Sequence, residues 1–524
     1  MNQYLASGAG LIVVYLVYYL VSSFISNRYH ARQANALGCQ PTWQRPHKYP
    51  LAIDLVQEVI QADKNQTVPD YFLGVYKATR KNTWSQNVLG TMQFVTNDPK
   101  NIQAILATQF QDFEIGELRR GNFFPMLGNG IFTVDGKAWE HSRSMLRPQF
   151  ARQQVADLQL EEIHVQDMFR HLTASDGWTD YVDLVPLFFR LTLDSATEFL
   201  FGQSVDSQNA ALPGYTQKAK EAGDLDWTSF AHSFDSGTMC LGQRGRLAEF
   251  YWVKNPQSFK DNCKDVHKFA DYYVNLALTT DLSSLSENHH ADGPRKEKYI
   301  FLKELVQQTR DPIELRSQLL NILLAGRDTT AGLLGWTFFL LVRHPDVFKK
   351  LRETILEEFG TYDQPKNLTF ENLKGCTYLQ HTLSEVLRLY ATVPLNQRRA
   401  TRDTTLPRGG GPDGNSPVYV RKGQEVNYSV HVMHHREDLW GPDVEEFKPE
   451  RWVSRRPGWE FLPFNGGPRI CLGQQFALTE AGYVIVRMLQ KFDGIKTNES
   501  DPIVRHQYSV TTAPARVPVR LHVA

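Results

Sequence analysis

One ten-residue segment restricts the fold and the chemistry of this chain more than any other feature. Residues 464–473 read Phe-Asn-Gly-Gly-Pro-Arg-Ile-Cys-Leu-Gly. The three glycines allow the backbone to turn sharply and to approach a flat group closely, which side chains would hinder. A free cysteine such as Cys471 is most often a small buried hydrophobic residue. The Phe, Gly, Arg and Cys residues at fixed spacing form a long motif, which is far more specific than a lone cysteine.

The same segment resembles the ligand loop of the cytochrome P-450 superfamily, and the resemblance extends over essentially the whole chain. It implies a mainly α fold with small β-sheets (α+β). It also implies haem b, held without a covalent bond, with the Cys471 thiolate as the axial ligand of the iron. A thiolate ligand pushes electron density onto the iron and favours O–O cleavage. Within this loop the resemblance implies that Phe464 contacts the haem and that Arg469 pairs with a haem propionate.

Helical periodicity dominates most of the chain. The clearest predicted helix has Asp311 as its N-cap, a proline in its first turn and apolar residues as far as about Arg343, after which His344-Pro345 ends it. Two short β-patterned pieces, 418–420 and 425–430, flank a Lys-Gly turn. This pattern predicts a β-hairpin.

Residues 325–330 of the long helix read Ala-Gly-Arg-Asp-Thr-Thr and resemble the oxygen-activating segment of the family. The resemblance implies that Gly326 leaves room for O₂ and substrate. It also implies that the Thr329 hydroxyl hydrogen-bonds dioxygen and that Asp328 relays protons from solvent. The alternative is a threonine that donates to a carbonyl of its own helix and an aspartate on a solvent-exposed face. A related animal fatty-acid group carries Glu, which can esterify the haem, where this chain has Ala325, so we expect a non-covalent haem.

Glu385 and Arg388 are three residues apart on a predicted helix over 378–390, so they share a face and can form an ion pair. Most such pairs are exposed and contribute almost nothing to stability. The spacing matches the E-x-x-R motif of the family, however, and 447–452 resembles the segment that supplies a third member, Arg451. The resemblance implies a buried structural triad that fixes the loop carrying Cys471.

Two other stretches imply contacts to the haem propionates. Trp139 and Arg143, spaced as W-x-x-x-R, resemble the helix that donates to a propionate from the other side of the haem. Arg398, which follows Val-Pro-Leu at 393–395, fits a further propionate contact. An ordinary surface arginine is the alternative for Arg398, because Arg399 adjoins it.

The segment 127–136, followed by Trp139 and Arg143, is similar to the fungal branch of the family that hydroxylates n-alkanes and fatty acids at the chain end. This similarity implies a monooxygenase that takes electrons from NADPH-cytochrome P-450 reductase, a flavoprotein. Its hydrophobic substrate would be hydroxylated at the terminal (omega) carbon. The candidate pocket residues are Phe123, Phe124, Phe132, Leu320, Leu324, Ala325, Val393 and Leu395. Ordinary core is the alternative for each of them.

Other functions remain open at this point. A sterol, aromatic or secondary-metabolite oxidase is an alternative enzyme, because branches of one family share a scaffold and differ in pocket lining. A haem carrier or sensor without turnover is a second alternative, against which Thr329, Asp328 and the intact ligand loop count. The 57 basic and 57 acidic side chains balance and give no argument for a nucleic-acid partner. The five cysteines form no C-x-x-C pair, which favours a reducing compartment.

Residues 1–27 contain no charged side chain and predict an N-terminal transmembrane helix. A helix of about 20 residues spans the roughly 30 Å of a bilayer core. Positive charge follows, beginning at Arg28 and Arg32, so the positive-inside rule places everything downstream in the cytosol. The expected organisation is a single-pass anchor in the endoplasmic reticulum membrane at 1–27, a basic, proline-rich linker at 28–50, and a haem-thiolate monooxygenase domain at 51–524.

Overall fold

Two units make up the computed structural model, which describes residues 2–150, 158–215, 227–279 and 300–524. The first unit consists of Met1–Asp54, Thr79–Glu114 and Gln397–Tyr428. The second unit consists of Leu55–Ala78, Ile115–Asn396 and Ser429–Ala524. The boundaries expected for an anchor, a linker and one catalytic domain stay a prediction.

Helices form most of the described chain, as the resemblance to the family implies. In chain order the helices are α1 (Asn2–Ala36), α2 (Ile53–Lys64), α3 (Val68–Thr79), α4 (Pro99–Gln103), α5 (Gly116–Leu127), α6 (Gly136–Leu146), α7 (Leu158–Phe169), α8 (Leu184–Phe201), α9 (Ser207–Ala210), α10 (Trp227–Gly245), α11 (Gln257–Thr279), α12 (Phe301–Val306), α13 (Pro312–Leu341), α14 (Pro345–Phe359), α15 (Phe370–Gly375), α16 (Thr377–Leu389), α17 (Val430–His434), α18 (Glu437–Trp440) and α19 (Gln474–Lys491). The strands are β1 (Thr83–Val88), β2 (Thr91–Thr96), β3 (Phe113–Glu114), β4 (Ala174–Ser175), β5 (Trp178–Thr179), β6 (Val182–Asp183), β7 (Leu395–Ala400), β8 (Thr404–Gly410), β9 (Ser416–Val420), β10 (Glu425–Ser429), β11 (Phe492–Lys496), β12 (His506–Tyr508), β13 (Thr512–Pro514) and β14 (Pro518–Val523).

The main sheet of the first unit has the strand order β1-β2-β10-β7-β3. β1 is antiparallel to β2, whereas β10 runs parallel to β2 with Val426 opposite Phe94. The predicted hairpin over 418–430 is therefore wrong. Both pieces are strands, but β9 pairs with β8, and β10 pairs with β2. The N–H of Gly423 donates to the carbonyl of Ala400 at 2.8 Å, so the Lys-Gly turn leads the chain from one sheet into the other.

α1 contains the residues expected to form a transmembrane anchor, but it continues beyond them to Ala36. Among the residues that the structure describes, no helix is both long enough and apolar enough to cross a membrane. The membrane-spanning role expected for residues 1–27 stays a prediction.

α13 is the central helix of the second unit and packs against α8, α11, α19 and β13. The carboxylate of its N-cap, Asp311, accepts hydrogen bonds from the N–H groups of Ile313 and Glu314, so the helix begins where the sequence predicts. The apolar core around it draws on α7, α8, α14, α16 and α19. Trp336 of α13 stacks on Tyr390 with ring centres 4.1 Å apart. This dense packing holds the middle of α13 in a fixed position.

Candidate active site

Residues 464–473, called the ligand loop from here on, make a tight turn immediately before α19. The N–H of Cys471 donates to the carbonyl of Phe464 at 3.0 Å, which closes the loop. A Cβ at Gly466 would meet the ring of Trp459 at 2.7 Å, so this glycine is required by packing within the protein. The closed loop leaves Cys471 just ahead of the first turn of α19.

Cys471 differs from the other four cysteines, which are buried, because it keeps accessible surface. The surrounding protein nevertheless raises the pKa of its thiol by burial, while the N–H of Gly473 and the positive charge of Arg143 oppose that rise. The Cys471 thiol is thus surrounded by protein but still has accessible surface, so it lies in a recess. A thiolate that binds a large flat group needs this arrangement.

The middle of α13 has one short face that the rest of the protein does not fully cover, called the opening of α13 from here on. Over residues 317–341 every side chain is buried except those of Ala325, Gly326 and Thr329. Thr329 lies three positions after Gly326 and four after Ala325, and both spacings place residues on one helix face. A Cβ built at Gly326 meets no atom within 4 Å. The face that the sequence assigns to O₂ and substrate therefore borders open space.

The side chains of Thr329 and Asp328 have different surroundings. Thr329 Oγ1 donates to the carbonyl of Ala325 at 2.7 Å, which is the alternative considered from the sequence. Asp328 does not lie on a solvent-exposed face; it is buried, and its Oδ1 accepts from Arg327 Nη1 at 3.0 Å. The same Nη1 lies 2.5 Å from Oδ1 of Asp235, an exposed residue of α10. Burial raises the pKa of Asp328 to about 6, although the charge of Arg327 opposes this rise.

Asp328 also borders a cavity of about 750 Å³ in the second unit. Arg327, Asp235, Gln243 and Ser509 line the same cavity. Each of these four side chains can form hydrogen bonds with ordered water. A proton held by Asp328 is thus close to a space in which it can exchange with water.

Three haem-contact candidates from two separate motifs lie together beside the ligand loop. The Cζ atom of Arg469 is 4.4 Å from the ring centre of Trp139, and that of Arg143 is 5.8 Å from it. Arg143 Nη1 donates to the carbonyl of Ile470 at 3.0 Å. Arg469 Nη2 lies 2.6 Å from Oδ1 of Asp135, a residue that no motif indicated. Positive charge is therefore concentrated where the ligand loop meets the start of α6.

The E-x-x-R residues form the buried triad that the family resemblance implies. Arg388 donates twice to Glu385, from Nε to Oε2 at 2.9 Å and from Nη2 to Oε1 at 2.8 Å, and both side chains have no exposure. Arg451 Nε donates to the same Oε1 at 3.1 Å. Trp452, which sequence reasoning missed, donates from Nε1 to Oε2 at 2.9 Å. A buried carboxylate needs such complete pairing.

His434 extends this triad toward the ligand loop, and no sequence signal pointed to it. Arg388 Nη1 donates to the carbonyl of His434 at 3.1 Å. The N–H of Leu462 donates to His434 Nε2 at 3.0 Å, so Nδ1, 3.2 Å from the carbonyl of Arg388, carries the ring proton. Burial, followed by the charge of Arg388, lowers the pKa of His434 to about 3. The neutral ring thereby joins Arg388 to the chain entering the ligand loop.

Arg398 lies in the first unit, on β7. It is buried, which differs from the ordinary surface arginine considered from the sequence. Its Nη1 donates to the carbonyl of Gln397 at 2.7 Å, and its Cζ lies 5.8 Å from the ring centre of Tyr428.

The candidate pocket residues divide by burial. Phe124 is exposed. Three candidates belong to the apolar core, as the alternative expects: Phe123, Leu320 and Leu324. Four are half-buried: Phe132, Ala325, Val393 and Leu395. The half-buried group contains the residues with surface left to offer a substrate.

The chain is similar to known proteins over most of its length. The family model described as Cytochrome P450 matches residues 48–519. Cytochrome P450 monooxygenase g430 of Fusarium sp is 50% identical over 96% of this chain and 88% of its own length. Cytochrome P450 52A13 of Debaryomyces hansenii is 48% identical over 92% of each chain. Cytochrome P450 52A5 of Candida maltosa is 51% identical over 82% of this chain and 81% of its own.

Proposed function

The chain belongs to the cytochrome P450 family, and we propose that it hydroxylates long-chain n-alkanes or fatty acids at the terminal carbon. The family consists of monooxygenases that bind haem b through a cysteine thiolate. Here the electron donor would be an NADPH-cytochrome P450 reductase. The observation that carries the substrate assignment is the similarity of 127–136 to the alkane- and fatty-acid-hydroxylating branch. The half-buried apolar side chains of Phe132, Val393 and Leu395 support it.

The residues of the second unit fit a haem group. Cys471 offers a thiol with accessible surface, and Gly326 faces open space on α13. Arg143 and Arg469 supply the positive charge that propionates require. Cys471 would supply the thiolate ligand of the iron, and Phe464, Trp139, Arg143 and Arg469 would make further contacts with the haem. The propionate contact expected of Arg398, in the first unit, stays a prediction. When bound, the haem supplies O₂ activation and the insertion of one oxygen atom into a C–H bond.

Thr329 and Asp328 have the chemistry for proton delivery. The Thr329 hydroxyl donates to Ala325, which leaves its oxygen lone pairs free to accept from a water in the opening of α13. Asp328, with a pKa of about 6, changes protonation state near neutral pH. A general acid works best when its pKa lies near the operating pH. We therefore assign Asp328 to hold and release a proton and Thr329 to orient the water that carries it onward.

Terminal selectivity has to come from the shape of the pocket. A terminal C–H bond is stronger than that of the neighbouring methylene, so pocket walls must admit only the methyl group to the reacting centre. Each methylene in an apolar pocket contributes about 1–3 kcal/mol of discrimination, so the preference for chain length should be graded. Val393 is half-buried, and its truncation widens the space without emptying a core position.

The test is turnover of a mixed substrate panel by the full-length protein reconstituted with reductase. Alkanes and fatty acids of about 12–18 carbons, together with sterols, are offered, and the products are identified by mass spectrometry. We expect terminal alcohols, and a shift toward penultimate positions in Val393→Ala. Leu324→Ala is the matched control, because Leu324 belongs to the core and its loss should lower stability without moving the site of oxidation. Subterminal products from the natural sequence, or turnover of sterols alone, would contradict the assignment.

We also propose that α1 attaches the protein to the endoplasmic reticulum membrane with the catalytic residues facing the cytosol. From Val13 to Val21 and at Phe24 and Ile25, α1 exposes large apolar side chains, which suit a lipid surface. Arg28 and Arg32 follow them, as the positive-inside rule expects for a cytosolic flank. Protein that stays in the membrane pellet after carbonate extraction and is digested by protease on sealed microsomes would support this attachment. Recovery in the soluble fraction would contradict it.

A further inference from the structure

Asp135 occupies the N-cap position of α6 but does not cap that helix. An aspartate at an N-cap normally accepts hydrogen bonds from the second or third N–H of its own helix. The side chain of Asp135 makes no such bond. Its Oδ1 accepts instead from the N–H of Ile115 at 3.0 Å, and its Oδ2 from the N–H of Gly116 at 3.1 Å. The carboxylate thus binds the start of α5, a different helix.

The same carboxylate also carries the ion pair with the ligand loop. Arg469 Nη2 lies 2.6 Å from Oδ1 of Asp135. That nitrogen donates to the carbonyl of Val134 at 3.1 Å as well, so both of its hydrogens point toward the start of α6. The side chain of Arg469 is only 9% exposed. A charge buried to this degree is costly unless a partner neutralises it.

Asp135 therefore joins three segments that are far apart in sequence. These are the start of α5, the start of α6 and the ligand loop two residues before Cys471. Arg143 of α6 holds the next residue of the loop through the carbonyl of Ile470 at 3.0 Å. α5 leads directly into the chain that carries Phe132, one of the half-buried pocket candidates. One carboxylate thus links the start of α5 to the loop that presents the thiol.

We propose that Asp135 is a positioning residue that fixes the ligand loop against α5, so that retention of haem and the state of the thiolate depend on it. This role rests on the proposed function of Cys471 as the axial ligand. Without the carboxylate, the Arg469 cation keeps only the haem propionate assigned to it, and the N–H groups of Ile115 and Gly116 lose their acceptor. The loop is then free to shift and to admit water beside the sulfur.

The test compares Asp135→Asn with the natural sequence in full-length, haem-loaded protein. Asparagine keeps the shape of the side chain but cannot neutralise Arg469. We expect haem transfer to apomyoglobin to accelerate about tenfold or more, the range seen when groups that orient metal ligands are removed. We also expect faster loss of the red-shifted Soret band of the reduced CO complex. Asp135→Glu, which restores the charge, should recover part of both properties.

Asp311→Asn is the matched control. Asp311 is the N-cap of α13 and bonds the N–H groups of its own helix, and asparagine caps nearly as well as aspartate. Its haem transfer rate should equal that of the natural sequence. A rate for Asp135→Asn that also equals it would overturn the positioning role.

A double variant separates an action through Arg469 from a general loss of stability. In an Arg469→Gln background the further change Asp135→Asn should have little effect on haem transfer, because the charge that it leaves unpaired is already gone. Full additivity of the two changes would overturn the inference. Should Asp135→Asn fail to accumulate, Arg469→Lys carries the same test. Lysine keeps the charge, but its single nitrogen cannot replace the planar guanidinium, which donates from Nη1 to Ile131 and from Nη2 to Asp135. If the reduced CO complex of the natural protein lacked the red-shifted Soret band, the assignment of Cys471 would be refuted. Unchanged haem transfer in Asp135→Asn would refute only the role of Asp135, so the two failures can be told apart.

Discussion

The carboxylate of Glu385 and the guanidinium of Arg388 form a two-bond ion pair, 2.8 and 2.9 Å long, with neither side chain exposed. Arg451 and Trp452 donate to the same carboxylate. Arg388 also binds three backbone carbonyls, those of His434, Val444 and Glu446. This pair therefore organises the chain on which the ligand loop is built.

Glu385→Gln should destabilise the protein strongly, because the fully buried Arg388 loses its counter-charge and Arg451 keeps only Asp443. Breaking a buried ion pair on one side costs about 3–5 kcal/mol. The urea midpoint of unfolding and the fraction of protein that retains haem should both fall. Glu353→Gln is the control, since Glu353 lies 3.9 Å from Lys349 with both side chains exposed. Its effect should stay below about 1 kcal/mol, and equal effects of the two changes would contradict a buried organising role.

His434 should make the fold sensitive to acid. Its pKa is about 3 in the folded protein, below its ordinary value near 6.5, so between these values the unfolded chain binds a proton that the folded one does not. The stabilisation is complete above about pH 6.5 and is lost as pH falls toward 3, at about 1.4 kcal/mol per pKa unit. Urea unfolding at pH 7.5 and pH 5 measures this loss. His434→Gln should show a smaller difference between the two pH values, and an unchanged difference would mean that His434 does not contribute.

Thr329→Ala should leave haem binding intact but lower the product formed per NADPH by about tenfold or more, because positioned proton transfer contributes about 10²–10⁴-fold. Hydrogen peroxide should rise in parallel. Thr337→Ala is a close control, since Thr337 makes the same bond to its own helix, 2.8 Å to Leu333, but is buried away from the opening. If both variants uncouple equally, the effect belongs to the helix and not to the hydroxyl of Thr329.

Haem should leave the polypeptide completely in acidified organic solvent. Ala325 has no carboxylate and therefore cannot form an ester with the haem. The check is spectrophotometric measurement of haem in the organic layer and on the precipitated chain. Ala325→Glu is the informative comparison, because it places a carboxyl group on the half-buried face of α13. Haem that stays with the natural polypeptide would contradict the prediction.

Local rules were sufficient for several parts of this protein. The start of α13 follows from the Asp-Pro cap, because capping depends only on residues adjacent in sequence. That Glu385 and Arg388 form a pair follows from their three-residue spacing on a helix. The loop motif identified Cys471 as the candidate ligand. Trp139, Arg143 and Arg469 were also identified from motifs, and the fold brings them together.

Pairings between distant segments were decided only by the tertiary structure. β10 pairs with β2 and not with its neighbour β9, because any extended strand satisfies the same backbone hydrogen bonds and sequence proximity does not select among them. Asp135 occupies the N-cap position of α6, but its carboxylate pairs with Arg469, which only the folded chain brings beside it. His434 has no motif, and its low pKa exists only because folding buries it beside Arg388. The sequence by itself thus determined where the main helix begins and which residues are candidates for cofactor binding, while burial and long-range contact decided which side chains lie against them.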